Sequence, residues 1–244
     1  RLDLLTRTIT DGGTEFDRIA PGYTGPLYAE ICPRSFSVLV RPGMRLNQIR
    51  FSTGAATLDD AALRALHADS PLVDGEAVID DGLGFSVDLR LPDTTLVGYR
   101  AKPHTGVIDL DKIGHYDPAQ YWEEVHSDNG QIILDPGAFY ILVSRETVKV
   151  GAMEAAEMAP IAPELGEFRA HYAGFFDPGF GTNSGGSRAV LEVRSRDVPF
   201  ILEHGQPVAK LVYESMASKP KGLYGGKGSN YQGQGLKLSK HFKT

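Results

Sequence analysis

One cysteine, Cys32, stands in the whole of this 244-residue chain. A single thiol excludes an internal disulfide and any metal site built on paired cysteines, and it fits a reducing, cytoplasmic setting. Its expected place is that of a small buried apolar residue. Long apolar runs are also missing: none approaches the ~20 residues that cross a bilayer, and no signal peptide is visible, so no membrane partner is expected. An excess of positive charge is absent as well. The net charge of −6 argues against a nucleic-acid polymer as partner.

Several catalytic signatures are wanting too. His67, His104, His115, His126, His171, His204 and His241 are scattered, with no pair at metal-ligand spacing. The His-x-Glu and Pro-Cys-x-x-Cys set of zinc-dependent nucleobase deaminases cannot be assembled from one cysteine. No Walker or Rossmann loop is present; Gly225-Gly226-Lys227-Gly228 lacks the following Ser/Thr and helix. No Gly-x-Ser-x-Gly nucleophile elbow occurs. Any chemistry must therefore run on carboxylates, Arg or Lys and water, with a metal brought in by the substrate.

What the chain does have is turns and short strands. Hydrophobic residues make up 41% and charged ones 23%, enough for one large β domain or two of ordinary size. Gly84–Leu91 alternates Phe85, Val87, Leu89 and Leu91 against Ser86, Asp88 and Arg90, a half-buried strand. Further strands are expected at 107–110, 131–134, 138–143, 147–150 and 189–193, and one helical turn at Met153–Met158. The clearest helix runs from Thr57 to His67, with Thr57 as N-cap and Leu58, Ala62, Leu63 and Leu66 on one face. The composition of elements indicates an all-β barrel or sandwich with a few short helices.

The pattern occurs twice. Glu30 to Phe51 aligns without a gap on Glu192 to Tyr213, with Gly43 on Gly205 and the turn Ala20-Pro21-Gly22 on Asp177-Pro178-Gly179. A self-match of this kind reports a duplicated unit. The second copy carries a short insertion at 182–187 and keeps Asp177 where the first has Ala20. The expected organisation is a C-terminal remnant of a first copy plus linker at 1–56, a complete second copy at 57–218, and a tail at 219–244. Because the chain opens at Arg1 without strands ahead of the first copy, an N-terminal part of the native protein is expected upstream. The tail is Gly-rich, with six lysines and no acid, leaving 19 basic against 31 acidic side chains, a net of −12, in residues 1–218. Such a tail is a loose terminus or a flap for a small polyanion. Glu192 lies between Leu191 and Val193, so its carboxylate sits on a wet face or in a pocket with its proton affinity raised, ready for proton transfer.

These residues, in this order, resemble the dCTP deaminase branch of the dUTPase-like superfamily. The likeness is collinear through the opening helix, Ser86–Leu91, Val107–Leu110, Ile132–Leu142, Ala173–Gly179, Val190-Leu191-Glu192 and the tail motif Tyr231-Gln232-Gly233-Gln234-Gly235. The duplication resembles the long, two-copy form. The resemblance implies a distorted β-barrel or jelly-roll-like dUTPase fold, tandemly duplicated. It implies zinc-free hydrolysis of dCTP to dUTP and ammonia, with Mg²⁺ carried by the triphosphate. It also implies a homo-oligomer and dTTP as an inhibitor.

On site residues, the resemblance implies Glu192 as general acid and base, Ala173 contacting the base through its backbone, and Asp177 accepting from the sugar 3′-hydroxyl. Phe176 or Phe180 would pack on the deoxyribose. Tyr224, Tyr231, Gln234 and a tail lysine would close on the triphosphate, Lys227 serving because Asn230 stands where the family has Lys. An Arg-Ser-Ser-x-x-Arg loop faces the glutamate in the family. Its second-copy counterpart, Glu164–Arg169, lacks the serines, and in the first copy it would end at Arg1, which is therefore taken into the site. A site around Glu30 is expected to be degenerate. The alternatives are a dUTPase or bifunctional enzyme releasing dUMP and pyrophosphate, and a non-catalytic nucleotide-binding module.

Overall fold

A computed structural model describes residues 1–160, 168–171, 175–195, 197–226 and 231–244, with 160 and 168–171 described as backbone alone. In chain order the first strands are β1 (Leu4–Thr10), β2 (Leu27–Pro33) and β3 (Val38–Leu39), followed by helix α1 (Asp60–Asp69). Next come β4 (Leu83–Ser86), β5 (Leu96–Ala101), β6 (Ile108–Asp109), helix α2 (Pro118–Tyr121), β7 (Trp122–His126) and β8 (Gln131–Leu134). The rest are β9 (Phe139–Val148), β10 (Glu154–Pro160), β11 (Phe168–His171), β12 (Phe175–Phe176), β13 (Ser187–Ser195), β14 (Phe200–Glu203) and β15 (Pro207–Ser215). The chain is thus predominantly β, as its alternating patterns predict, and among the described residues no sheet closes into a barrel.

Two compact units share the chain, and neither is one continuous stretch. The larger comprises Ser52–Ala101 and Trp122–Leu238. It contains a four-stranded sheet, β12-β10-β15-β4, and a five-stranded sheet, β11-β13-β9-β5-β7, both antiparallel, with β14-β8 as a separate pair. Alternate residues of these strands, among them Phe85, Tyr140, Leu142, Ala156, Leu191, Val193, Leu211 and Tyr213, meet in one apolar core. Tyr213 is buried there with its hydroxyl donating to the Lys149 carbonyl at 2.9 Å, and burial pushes its phenol pKa up.

The smaller unit comprises Arg1–Phe51, Lys102–Tyr121 and Ser239–Thr244. β1 and β2 form a hairpin in which Arg7 faces Glu30, and β3 runs parallel to β6. Its core is aromatic: Tyr121 meets Phe36, Tyr116 and Phe242 edge-on at 6.0, 5.4 and 5.5 Å.

The duplication is visible in the backbone. Tyr23 N–H donates to the Ala20 carbonyl at 3.1 Å, and Phe180 N–H to the Asp177 carbonyl at 3.0 Å, closing the same turn in each copy. Met44 to Arg41 and Gln206 to Glu203 repeat a second turn at 3.2 and 3.1 Å. Burial separates the copies: every residue of β2 is exposed, whereas β13 is buried along most of its length.

Three local expectations are corrected. Cys32 is exposed, because it lies on β2. The N-cap of α1 is Asp59, whose carboxylate accepts Ala62 N–H at 2.8 Å, while Leu58 ahead of it pairs its N–H with the Tyr213 carbonyl instead. Residues 154–160 are strand, not helix: β10 pairs with β15 along its whole length, and ladder hydrogen bonds override the local helix preference of Glu, Ala and Met.

Candidate functional site

Asp177-Pro178-Gly179 turns the chain between β12 and the 3₁₀ turn at Thr182–Ser184. Pro178 presets one φ, and Gly179 adopts φ +96°, a conformation that L side chains rarely take. A Cβ there would also come within 2.8 Å of Leu223 Cβ and 3.0 Å of the Tyr224 nitrogen. The glycine lets another segment lie directly on the turn. Asp177 is half-buried beside it. Phe176 and Phe180 are fully buried and meet edge-on at 5.0 Å. Their rings support the turn from within the core, away from solvent.

The segment lying on the turn is the C-terminal tail. Tyr224 donates its N–H to the Pro178 carbonyl at 2.8 Å, and its ring sits 5.7 Å from that of Phe180. Gln234 is buried where the tail meets β13: its N–H donates to Ser187 Oγ at 3.3 Å and its Nε2 to the Arg188 carbonyl at 3.3 Å. Arg188 N–H donates in turn to the Gln234 carbonyl at 3.2 Å.

Glu192 stands four residues further along β13. Leu191 and Val193 point into the core, so alternation places Glu192 on the opposite face with Val190. That face is also closed: Val190 and, on β9, Ile141 and Val143 are fully buried, and Glu192 itself is 8% exposed. The carboxylate is thus buried and does not lie on a wet face of the sheet. Glu30, its counterpart, is exposed on β2.

Within the larger unit the structure thus brings the Asp177 turn, Phe176, Tyr224 and Gln234 together near the start of β13, with Glu192 on that strand and Tyr231 half-buried next to Gln232 in the tail. Arg1 belongs to the smaller unit, where it is half-buried. Ala173, Lys227, Asn230 and Glu164–Glu167 lie outside the described residues.

Two features escaped the sequence. Asp88, placed by alternation on the polar face of its strand, is 4% exposed and paired at 2.5 Å with Arg188, a hundred residues away. No local pattern announces such a partner. Gln232 was visible only as part of a motif. Its amide bonds the turn: Oε1 accepts Gly181 N–H at 3.2 Å and Nε2 donates to the Gly179 carbonyl at 3.3 Å.

The donor chemistry for a protein-held cation is thin. Among the described residues no three His, Cys, Asp or Glu side chains converge on one point.

A β-rich duplicated chain with a sheathed in-strand carboxylate and a tail laid over an Asp-Pro-Gly turn has the dUTPase-like fold. Residues 59–242 match the model of the 2′-deoxycytidine 5′-triphosphate deaminase C-terminal domain, and residues 1–55 that of the N-terminal domain. The chain belongs to the dCTP deaminase family. A solved 2′-deoxycytidine 5′-triphosphate deaminase from Agrobacterium tumefaciens is 53% identical with a TM-score of 0.84; the match covers 90% of this chain and 66% of that one. This chain therefore spans about two thirds of that relative's length. Two curated relatives, both named dCTP deaminase, dUMP-forming, are 30% identical. The one from Methanothermobacter thermautotrophicus matches 67% of this chain and 80% of its own, and the one from Methanosphaera stadtmanae 64% and 78%.

Proposed function

We propose that the protein deaminates dCTP hydrolytically, and that Glu192 moves the protons. The observation that supports this reading is a carboxylate buried on β13, next to Val190 and opposite Ile141 of β9, on the strand whose first residues receive the tail. A carboxylate within reach of a bound base can take a proton from water and return it to the substrate. Glu192 takes one proton from water as the oxygen bonds to C4 of cytosine. It delivers that proton to ring nitrogen N3. The remaining hydroxyl proton passes to the departing amine, the C4–N bond breaks, and dUTP and ammonia leave. The backbone at Ala173 holds base and water, and Asp177 accepts from the 3′-hydroxyl. Tyr224, Tyr231, Lys227 and Gln234 close on the triphosphate, lysine acting as a point charge on phosphate oxygens. Mg²⁺ bound to those oxygens would neutralise their charge, and no zinc is used.

A second reading has the same site also releasing pyrophosphate from dUTP, and the dUMP-forming names of the two curated relatives favour it. Product analysis separates the two. Intact protein with dCTP and Mg²⁺ yields dUTP and equal ammonia if it only deaminates, and dUMP with pyrophosphate if it does both. Glu192→Gln is expected to cut turnover about 10²–10⁴-fold while leaving nucleotide affinity nearly unchanged. Lost affinity with residual turnover intact would remove Glu192 from the chemistry.

A further inference from the structure

The tail reaches the Asp177 turn through two glutamines of different kinds. Gln234 binds the first residues of β13 and is buried. Gln232 is half-buried and spans the turn itself, its Oε1 on Gly181 N–H and its Nε2 on the Gly179 carbonyl. A primary amide offers one acceptor and two donors, and here it pairs with a backbone carbonyl and amide much as a neighbouring strand would. A carboxylate matches only one of those two partners. The surroundings keep room for that amide. Gly225 has φ +90°, and a Cβ on it would come within 3.1–3.3 Å of the Gln232 side chain.

We propose that Gln232 is a positioning residue: its amide bridges Gly179 and Gly181, and so anchors to the Asp177 turn the tail segment that carries the neighbouring Tyr231 and Gln234. This rests on the reading that the tail closes on the nucleotide. Gln232 touches backbone, not phosphate, and being uncharged it neither repels nor competes for the triphosphate. Its loss leaves the proton-transfer machinery on β13 intact and loosens the segment that holds substrate. The effect therefore belongs in KM and not in kcat.

The test uses Gln232→Ala, Gln232→Glu and Gly225→Ala in the intact protein. Four quantities are measured: kcat and KM for dCTP with Mg²⁺, dCTP affinity by calorimetry in a Glu192→Gln background, and hydrogen exchange at Gly181. For Gln232→Ala we expect KM and Kd to rise about tenfold, the equivalent of about 1.4 kcal/mol, with kcat within about twofold. Exchange at Gly181 should quicken. Gln232→Glu should lose as much, since it keeps the Gly181 contact but sets an acceptor against the Gly179 carbonyl. Gly225→Ala should act in the same direction. Faster exchange at Gly181 with unchanged KM and Kd would overturn the proposal. A wild-type protein that binds dCTP without turning it over would count against the deaminase reading alone, because the calorimetric comparison still reports on Gln232.

Discussion

Asp88 and Arg188 show how much one pair of side chains can determine. The carboxylate is nearly out of solvent, while the guanidinium keeps a quarter of its surface exposed. Arg188 also donates to the Ser144 carbonyl at 3.4 Å, and Asp88 accepts Arg90 N–H at 2.9 Å, so the pair ties three segments together. A buried ion pair adds little net stability when compared with apolar residues of similar volume, but removing one member strands the other. Arg188→Met is therefore expected to destabilise the protein by about 3 kcal/mol, the low end for a broken buried pair because the guanidinium is partly wet. Adding Asp88→Asn to Arg188→Met should restore a good part of that loss. Urea unfolding of the single and double variants checks this: equal losses in both would mean that the pair's charge is not what matters.

At the level of elements, α1 owes its start to a side chain. Asp59 accepts from Ala62 N–H, and Asp60 adds an acid to the first turn, where amide dipoles favour negative charge. Asp59→Ala should cost about 1 kcal/mol, seen as a lower unfolding midpoint; Thr57→Ala, at the position that sequence alone suggests, should cost much less. Such differences show what was readable. The strand at 131–134 stands where alternation and turn residues put it; those expected at 84–91, 107–110 and 189–193 are observed as 83–86, 108–109 and 187–195, and the two expected at 138–143 and 147–150 are one strand, 139–148. The buried Glu192 was legible as one of two possibilities, since Leu191 and Val193 show that the strand is buried but not whether its second face is covered. Residues 154–160 misled because their preference is helical and only a distant partner, β15, makes them strand. Asp88 misled for the same reason: its partner comes from another part of the chain. The cap slipped by two residues because Thr57 and Asp59 are both competent, and the hydrogen bond of Leu58 to Tyr213 decides between them.

Across the whole molecule, sequence copies and compact units divide the chain differently. Residues 102–121 and 239–244 group with 1–51, although the family's C-terminal model, over 59–242, takes in the first segment and most of the second. The last residues are not loose in the smaller unit: Gly114 N–H donates to the Lys240 carbonyl, Lys243 N–H to that of Tyr116, and Phe242 is buried among aromatic rings. His241 fixes this end. Its Nε2 lies 3.2 Å from the Leu110 carbonyl, which can only accept, so Nε2 carries the proton; Nδ1, 2.8 Å from Ser239 Oγ, then accepts. Burial first, then the charge of Lys240, push the imidazole pKa below its ordinary value, against an opposing pull from the Leu110 hydrogen bond. The folded state thus binds this proton less readily than the unfolded chain, whose histidine titrates near about 6.5. The stabilising contribution is complete above that pH. It declines as pH falls through it, levelling once the folded imidazole is itself protonated. Asp109 cannot account for a loss in that range, because the Arg41 guanidinium at 2.6 Å holds its carboxyl well below the usual carboxylate range. Its own contribution, present above about 3.9, is lost only in stronger acid. The melting temperature should therefore fall between pH 7.5 and 5.5 in the native protein, and fall less in His241→Gln, whose amide keeps a donor for Leu110. Equal falls in the two proteins would assign the acid sensitivity elsewhere.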